Sequence, residues 1–294
     1  MSTVKALQRQ LISNGVVYDG TGAPGRRVDI LIEGDRIREI GNLGPLPEVP
    51  SLDVSGLCVT PGFIDPHNHA DSEVEGGIVA YPRADNLIRQ GITTLICNQC
   101  GGAVGDVGAF FAKLDAAKPV TNVAMLASHG HARRRALQET GEKASTPAMW
   151  ARMRDLLRAE MEAGAVGVTT GIIGAPKERI PTAELVEAGR AVAPFGGVYA
   201  SHIRDEGEYG GHLDAIGEVA TVARESGARG QVSHLKLWGH PNWGQTEAVL
   251  AIFDRARAEG YVLAADQYPY IGGYRGFFSL LWDKQRSGPY DAAW

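Results

Sequence analysis

The stretch PGFIDPHNHAD, residues 61–71, decides how this chain is read. The apolar run Phe63–Ile64 gives way to Asp65 and Pro66; His67 and His69 follow one residue apart, with Asp71 two further on. In extended backbone, residues i and i+2 point to the same side. Two imidazoles would then converge where a buried strand runs out. Such a pair suits a metal ion, but it also occurs in a solvent-facing turn, and the spacing alone leaves both open.

Beyond this stretch, short apolar runs alternate with helix-length amphipathic segments. The runs are GFIDPH (62–67), TTLICNQC (93–100), NVAMLAS (122–128), AVGVTTGI (165–172), VYASHI (198–203), QVSHLK (231–236) and VLAADQYPY (262–270). Most intervals are about thirty residues, the size of a strand plus its crossover helix. Helices are legible at PAMWARMRDLLRAEMEAG (147–164), at PTAELVEAGRAVAPFG (181–196) with Thr182 as its cap, at GHLDAIGEVATVARESG (211–227) and at QTEAVLAIFDRARAEG (245–260), each closing on glycine. Seven such units predict an α/β fold of the (β/α)8 barrel type. No eighth strand is legible after DQYPY, so the barrel is expected to lack strand 8 and the chain reads as C-terminally truncated. Residues 1–58 look different. Turn signals at Asn14-Gly15 and Gly34-Asp35 between short apolar runs predict antiparallel hairpins, the N-terminal part of a small β-sandwich domain, with the barrel running from 59 to 294.

The 294 residues are 44% hydrophobic, enough for a large core, with a net charge of -5 and no basic run longer than Arg133–Arg135. Nucleic acid and anionic membrane are therefore poor partners. MSTVKALQRQ lacks the apolar segment of a secretory signal, and no stretch is long enough to span a bilayer. Three cysteines without dense spacing suit a reducing compartment. The expectation is a cytoplasmic enzyme acting on small molecules, of unknown oligomeric state.

In such a barrel the active site lies at the C-terminal strand ends. His67 and His69 end the first strand, Cys100 the second, His202 the fifth and His234 the sixth, whereas His131, His212 and His240 read as loop residues. Imidazole with thiolate is a zinc-type donor set. Five donors are too many for one tetrahedral ion with an open position. Two ions fit better, one held by His67 and His69, the other by His202 and His234, with Cys100 as the shared ligand. Cys97 forms CxxC with Cys100 but reads as a core residue facing away, and Cys58 as packing.

With these residues assembled, the sequence resembles the amidohydrolase superfamily in its D-aminoacylase (N-acyl-D-amino-acid deacylase) branch. PGFIDPHNHAD, GITTLICNQCG, EAGAVGVTTGI, GGVYASHIRDEG, QVSHLK with GHPNWGQ, and DQYPY carry the resemblance in order from Val16 to about Tyr270. The resemblance implies Zn2+, one or two ions, held by His67, His69, Cys100, His202 and His234. It also implies hydrolysis of the amide bond of small N-acyl-D-amino acids, with Lys236 and Tyr268 helping to hold substrate. Lys236, and second to it Arg204, is the cation expected to fix a substrate carboxylate. The resemblance further implies an aspartate at the end of an eighth strand, as metal partner and general base; no such strand is legible, and neither Asp266 nor Asp283 reads as a convincing substitute. Gly174 stands where relatives often place an aromatic residue, which leaves the substrate side chain open. Related members bridge their metals with a carboxylated lysine at the fourth strand's end, and AVGVTTGII has none, Lys177 lying beyond in the loop. Cyclic amides, N-carbamoyl compounds or dipeptides as substrates, and a non-catalytic fragment with a residual metal site, are the alternatives. Arg204, Asp205 and Glu206 in HIRDEGE are open between a solvated loop and a network orienting His202. His129 is open between a role near substrate and a structural one. Their spacing along a strand predicts that at most one of Tyr268 and Tyr270 faces the mouth, the other being core.

Overall fold

A computed structural model describes residues 8–72 and 76–272. The chain forms two compact units, which meet in sequence between Phe63 and Ile64.

The first unit contains two small sheets. One orders the strands Arg36–Gly41, Asp29–Glu33, Arg9–Ser13 and Ser51–Asp53; the other orders Arg26–Arg27, Val16–Val17 and Cys58–Val59. Gly34-Asp35 turns an antiparallel hairpin, as its sequence suggests. Asn14-Gly15 does not: Asn14 takes the left-handed conformation (φ 67°) and carries the chain from one sheet into the other. A Cβ on Gly15 would lie 2.8 Å from both Val54 and Val59, so the turn is packed beneath a returning segment instead of joining paired strands. That segment supplies two parallel pairings, Arg9–Ser13 with Ser51–Asp53 and Val16–Val17 with Cys58–Val59, so the unit is mixed, not purely antiparallel. Cys58 is exposed, contrary to the packing role its position suggests.

The second unit is built from the seven apolar runs. Its strands Phe63–Asp65, Ile92–Cys97 and Asn122–Met125 are neighbours. Ala127–Ser128, Gly167–Gly171, Val198–His202, Arg229–Val232 and Leu263–Ala265 continue the order, each pair parallel. The third run is one strand interrupted at Leu126, its first half paired to the second strand and its second half to the fourth. The seven strands thus follow one another in space as in sequence, the pattern of a (β/α) barrel. Residues 273–294, which include Asp283 and the stretch in which no eighth strand is legible, lie outside the described residues.

Helices cover the strands because one face of each is apolar. Pro147–Glu162 starts with Thr146 accepting from Met149 N and with proline at the first position, and it buries Met149, Met153 and Leu157 completely. Thr182–Val192 departs from its expected cap: Pro181 precedes it, and Thr182 is its first helical residue, with a hydroxyl that donates to Glu218 Oε1 at 2.6 Å in the next helix, His212–Ser226. Leu95, Met125, Val168, Tyr199 and Val232 on the strands meet Leu185 and Ile216 on the helices in a closely packed core. His131 and His212 lie in helices, not loops.

Candidate metal centre

The five candidate donors come together at the C-terminal ends of the strands. Cys100 Sγ lies 3.3 Å from His67 Nε2 and 3.1 Å from His234 Nε2, and His234 Nε2 lies 3.2 Å from His202 Nδ1. Ligand atoms of His67, His69 and Cys100 fall within 4.8 Å of one another, as do those of Cys100, His202 and His234. The thiol therefore belongs to both groups, with an imidazole pair on either side. The fit to a metal rests on donor chemistry. Burial, with Glu206 and Asp266 nearby, pushes the Cys100 thiol up to about 12. A thiol so placed ionises only beside a cation. Loss of hydration, then the neighbouring His67, lowers the pKa of His69 and favours the neutral imidazole that a metal requires. The residues present fit a soft, borderline cation such as zinc.

The backbone is held in sparsely populated conformations to aim these donors. Cys100 (φ 56°) and His234 (φ 37°) both adopt left-handed geometry, which costs a non-glycine residue roughly 1–3 kcal/mol. Hydrogen bonds hold each in place: Gly101 N donates to Thr169 Oγ1 at 3.0 Å, and His234 N to Asp266 Oδ1 at 2.6 Å. The Cys100 turn sits directly on the end of the fourth strand. A Cβ on Gly171 would lie 2.3 Å from Cys100 O, and one on Gly101 would lie 2.9 Å from Gly171 N. The thiol thus approaches the centre over a strand end left bare by glycine. Cys97, as expected, is fully buried in the core, away from this group.

Two carboxylates stand behind the imidazoles. Asp266 Oδ1 lies 2.9 Å from His67 Nδ1, which joins the ends of the seventh and first strands, and Oδ2 accepts from Gln231 at 2.6 Å. Burial would raise its pKa, but His67 and the other donors outweigh this and lower it. Glu206 Oε1 lies 2.9 Å from His234 Nδ1 and 2.6 Å from Lys236 Nζ. Burial is again opposed by more than its own size, here by His234, His202 and Lys236, which bring Glu206 down to about 2. Both residues are visible in the sequence, in HIRDEGE and DQYPY; the network considered for HIRDEGE would orient His202, whereas Glu206 Oε1 lies 3.8 Å from His202 Nε2 and closer to His234.

A cleft of about 490 Å³ opens over the group, with Lys236, Trp238, Tyr268 and Tyr270 on its walls. The Lys236 ammonium lies 5.7 Å from the Tyr268 ring centre. Both tyrosines reach the cleft because the strand stops at Ala265 and the alternation expected of it no longer applies. Arg204 is placed elsewhere. It is 8% exposed, pairs with Glu218 at 2.7 Å and donates to the carbonyls of Ala175 and Ile180. His129 is also structural, buried against Glu184 at 2.9 Å. Lys177 is exposed, and Gly174 donates to Arg204 O at 2.8 Å.

Residues 52–254 match the profile of the amidohydrolase family. The chain belongs to the amidohydrolase family. Its relatives include the N-acyl-D-glutamate deacylase of Alcaligenes xylosoxydans xylosoxydans, 37% identical over 284 residues that span 89% of this chain and 57% of that protein. The crystal structure of N-acyl-D-glutamate deacylase from Bordetella bronchiseptica, complexed with zinc and a phosphonate mimic of the tetrahedral intermediate, aligns with TM-score 0.80 at 37% identity, covering 90% of this chain and 59% of that one. A structure concerned with the binuclear metal centre of D-aminoacylase aligns with TM-score 0.79 at 30% identity, covering 90% and 59%. This amidohydrolase chain thus spans less than two thirds of the length of each of these relatives.

Proposed function

We propose that this amidohydrolase chain carries the metal centre of a zinc-dependent deacylase. The reaction is hydrolysis of the amide bond of N-acyl-D-amino acids, which releases a carboxylate and a free D-amino acid. The observation that carries the reading is the Cys100 thiol lying between two imidazole pairs, with the Lys236 ammonium on the wall of the same cleft. His67 and His69 would hold one ion and His202 and His234 the other, with Cys100 shared. Zinc held there supplies Lewis-acid polarisation of an amide carbonyl and a nucleophile drawn from water at neutral pH.

The chain's own residues account for substrate choice. Lys236 offers a cation to a carboxylate, and Tyr268 and Trp238 give the cleft aromatic walls around it. Asp266 orients His67 and the His234 backbone through Oδ1, while its Oδ2 accepts from Gln231. The preference for the D series is taken from the deacylase relatives. A reducing, cytoplasmic setting suits the three unpaired cysteines. No helix among the described residues is long and apolar enough to cross a membrane.

The test is free-amine release by the zinc-loaded protein from N-acetyl-D- and N-acetyl-L-amino acids, beside ring opening of hydantoins. Release confined to the D series is the expected result. Turnover of hydantoins instead of acyl amino acids would replace the substrate class. Failure of the protein to take up zinc would remove the centre itself.

A further inference from the structure

His234 faces the candidate centre through Nε2, 3.1 Å from the Cys100 thiol and 3.2 Å from His202 Nδ1. Its other nitrogen, Nδ1, has two neighbours that make opposite demands. Glu206 Oε1, at 2.9 Å, can only accept a hydrogen bond when ionised, and Lys236 Nζ, at 3.1 Å, can only donate one when charged. A neutral imidazole carries one N–H. With that proton on Nδ1, the ring donates to Glu206 and turns the Nε2 lone pair toward the centre. With Nδ1 accepting from Lys236, the proton sits on Nε2 and the ring cannot ligate.

The geometry points to Glu206 as a positioning residue that selects the ligating tautomer of His234 against the competing Lys236. It does so by receiving both donors on one oxygen, since Lys236 Nζ is 2.6 Å from the same Oε1. The ammonium, drawn to the carboxylate, leaves the imidazole proton where ligation needs it. The carboxylate is itself fixed: Oε2 accepts from Trp238 Nε1 at 3.1 Å, and Glu206 O accepts from Trp238 N at 2.7 Å. Lys236 can therefore stand beside a metal ligand, where it is placed to meet a substrate carboxylate, without weakening that ligand. This inference rests on the metal-centre reading above and concerns how that centre tolerates a cation two residues from a ligand.

The test is zinc affinity and stoichiometry, measured by competition with a chromogenic chelator, for wild type, Glu206→Gln, Lys236→Met and the double variant, with melting curves to confirm folding. Imidazole nitrogen NMR shifts of the metal-free proteins show which ring nitrogen of His234 is protonated. Glu206→Gln is expected to bind one ion as wild type does and the other roughly 10- to 100-fold more weakly, the usual consequence of losing an outer partner. Removing the competing donor in the double variant restores most of that loss. The NMR signature moves from Nδ1–H in wild type to Nε2–H in Glu206→Gln. Glu206→Gln loading both ions with wild-type affinity, or a folded double variant as weak as the single one, overturns the proposal. An Nε2-protonated His234 in metal-free wild type overturns it whatever the variants do. Wild type that binds no zinc at all overturns the metal-centre reading, and this inference with it.

Discussion

Cys100 contributes one atom to two groups of donors, and its neighbours are arranged around that one position. Its left-handed backbone, the glycine after it and the bare end of the fourth strand at Gly171 together bring the thiol between the histidine pairs. Cys100→Ala is expected to lower zinc content by more than the loss of a single terminal ligand, because both ions lose a donor; metal analysis after dialysis against a defined zinc buffer checks this. Unchanged zinc would exclude the shared thiolate. Gly171→Ala tests the approach from the other side. The added methyl would lie 2.3 Å from Cys100 O, a backbone atom that cannot swing aside. The variant is expected to lose roughly 1–3 kcal/mol of stability, as overpacking does, and to lose zinc affinity along with it. Urea unfolding and zinc titration read the two effects separately.

At the level of elements, buried carboxylates hold the helices in place beneath the site. Glu184, on the helix Thr182–Val192, is fully buried and takes His129, Arg133 and Ser145, so it ties that helix to His129–Thr140 and to the turn before Pro147. Burial alone would raise its pKa, but the bonds and charges of His129 and Arg133 and the Ser145 hydroxyl win, and the folded value is lowered from 4.5. A depressed carboxylate contributes stability above its unfolded pKa and loses it as pH falls through the folded value. Glu184→Gln should therefore cost about 3 kcal/mol at neutral pH, as disrupting a buried ion pair does. The difference from wild type should shrink as pH falls below about 4.5. Urea midpoints of both proteins between pH 7 and pH 3 measure this, and a constant difference would show that the charge of Glu184 plays no part.

At the level of the whole molecule, the candidate ligands come from the first, second, fifth and sixth strands of the second unit. An ion at the centre would therefore join parts of the sheet that are far apart in sequence. Zinc binds the folded chain and finds no such arrangement in the unfolded one, so at about 100 times its Kd it adds about 2.7 kcal/mol. That corresponds to a rise in Tm on the order of 5 °C or more for a chain of this size. Calorimetry with zinc, and again after a chelator, checks the shift. A Tm indifferent to both would mean that the donors do not act together.

The repeat of strand and helix, the seven runs and the placement of His67, His69, Cys100, His202 and His234 at strand ends were all legible in the sequence. They follow from local periodicity and from turn residues that act within a few positions. Local signals also misled. Asn14-Gly15 has the composition of a hairpin turn but changes sheets, and Thr182 has the composition of a cap but bonds to the next helix. Only tertiary structure decided that Arg204 is spent on Glu218, that Glu206 faces His234 and Lys236, and that Asp266 holds His67. A charged side chain finds its partner through the packing of distant strands, and hydrophobic periodicity says which face of an element is buried without saying which residue lies opposite.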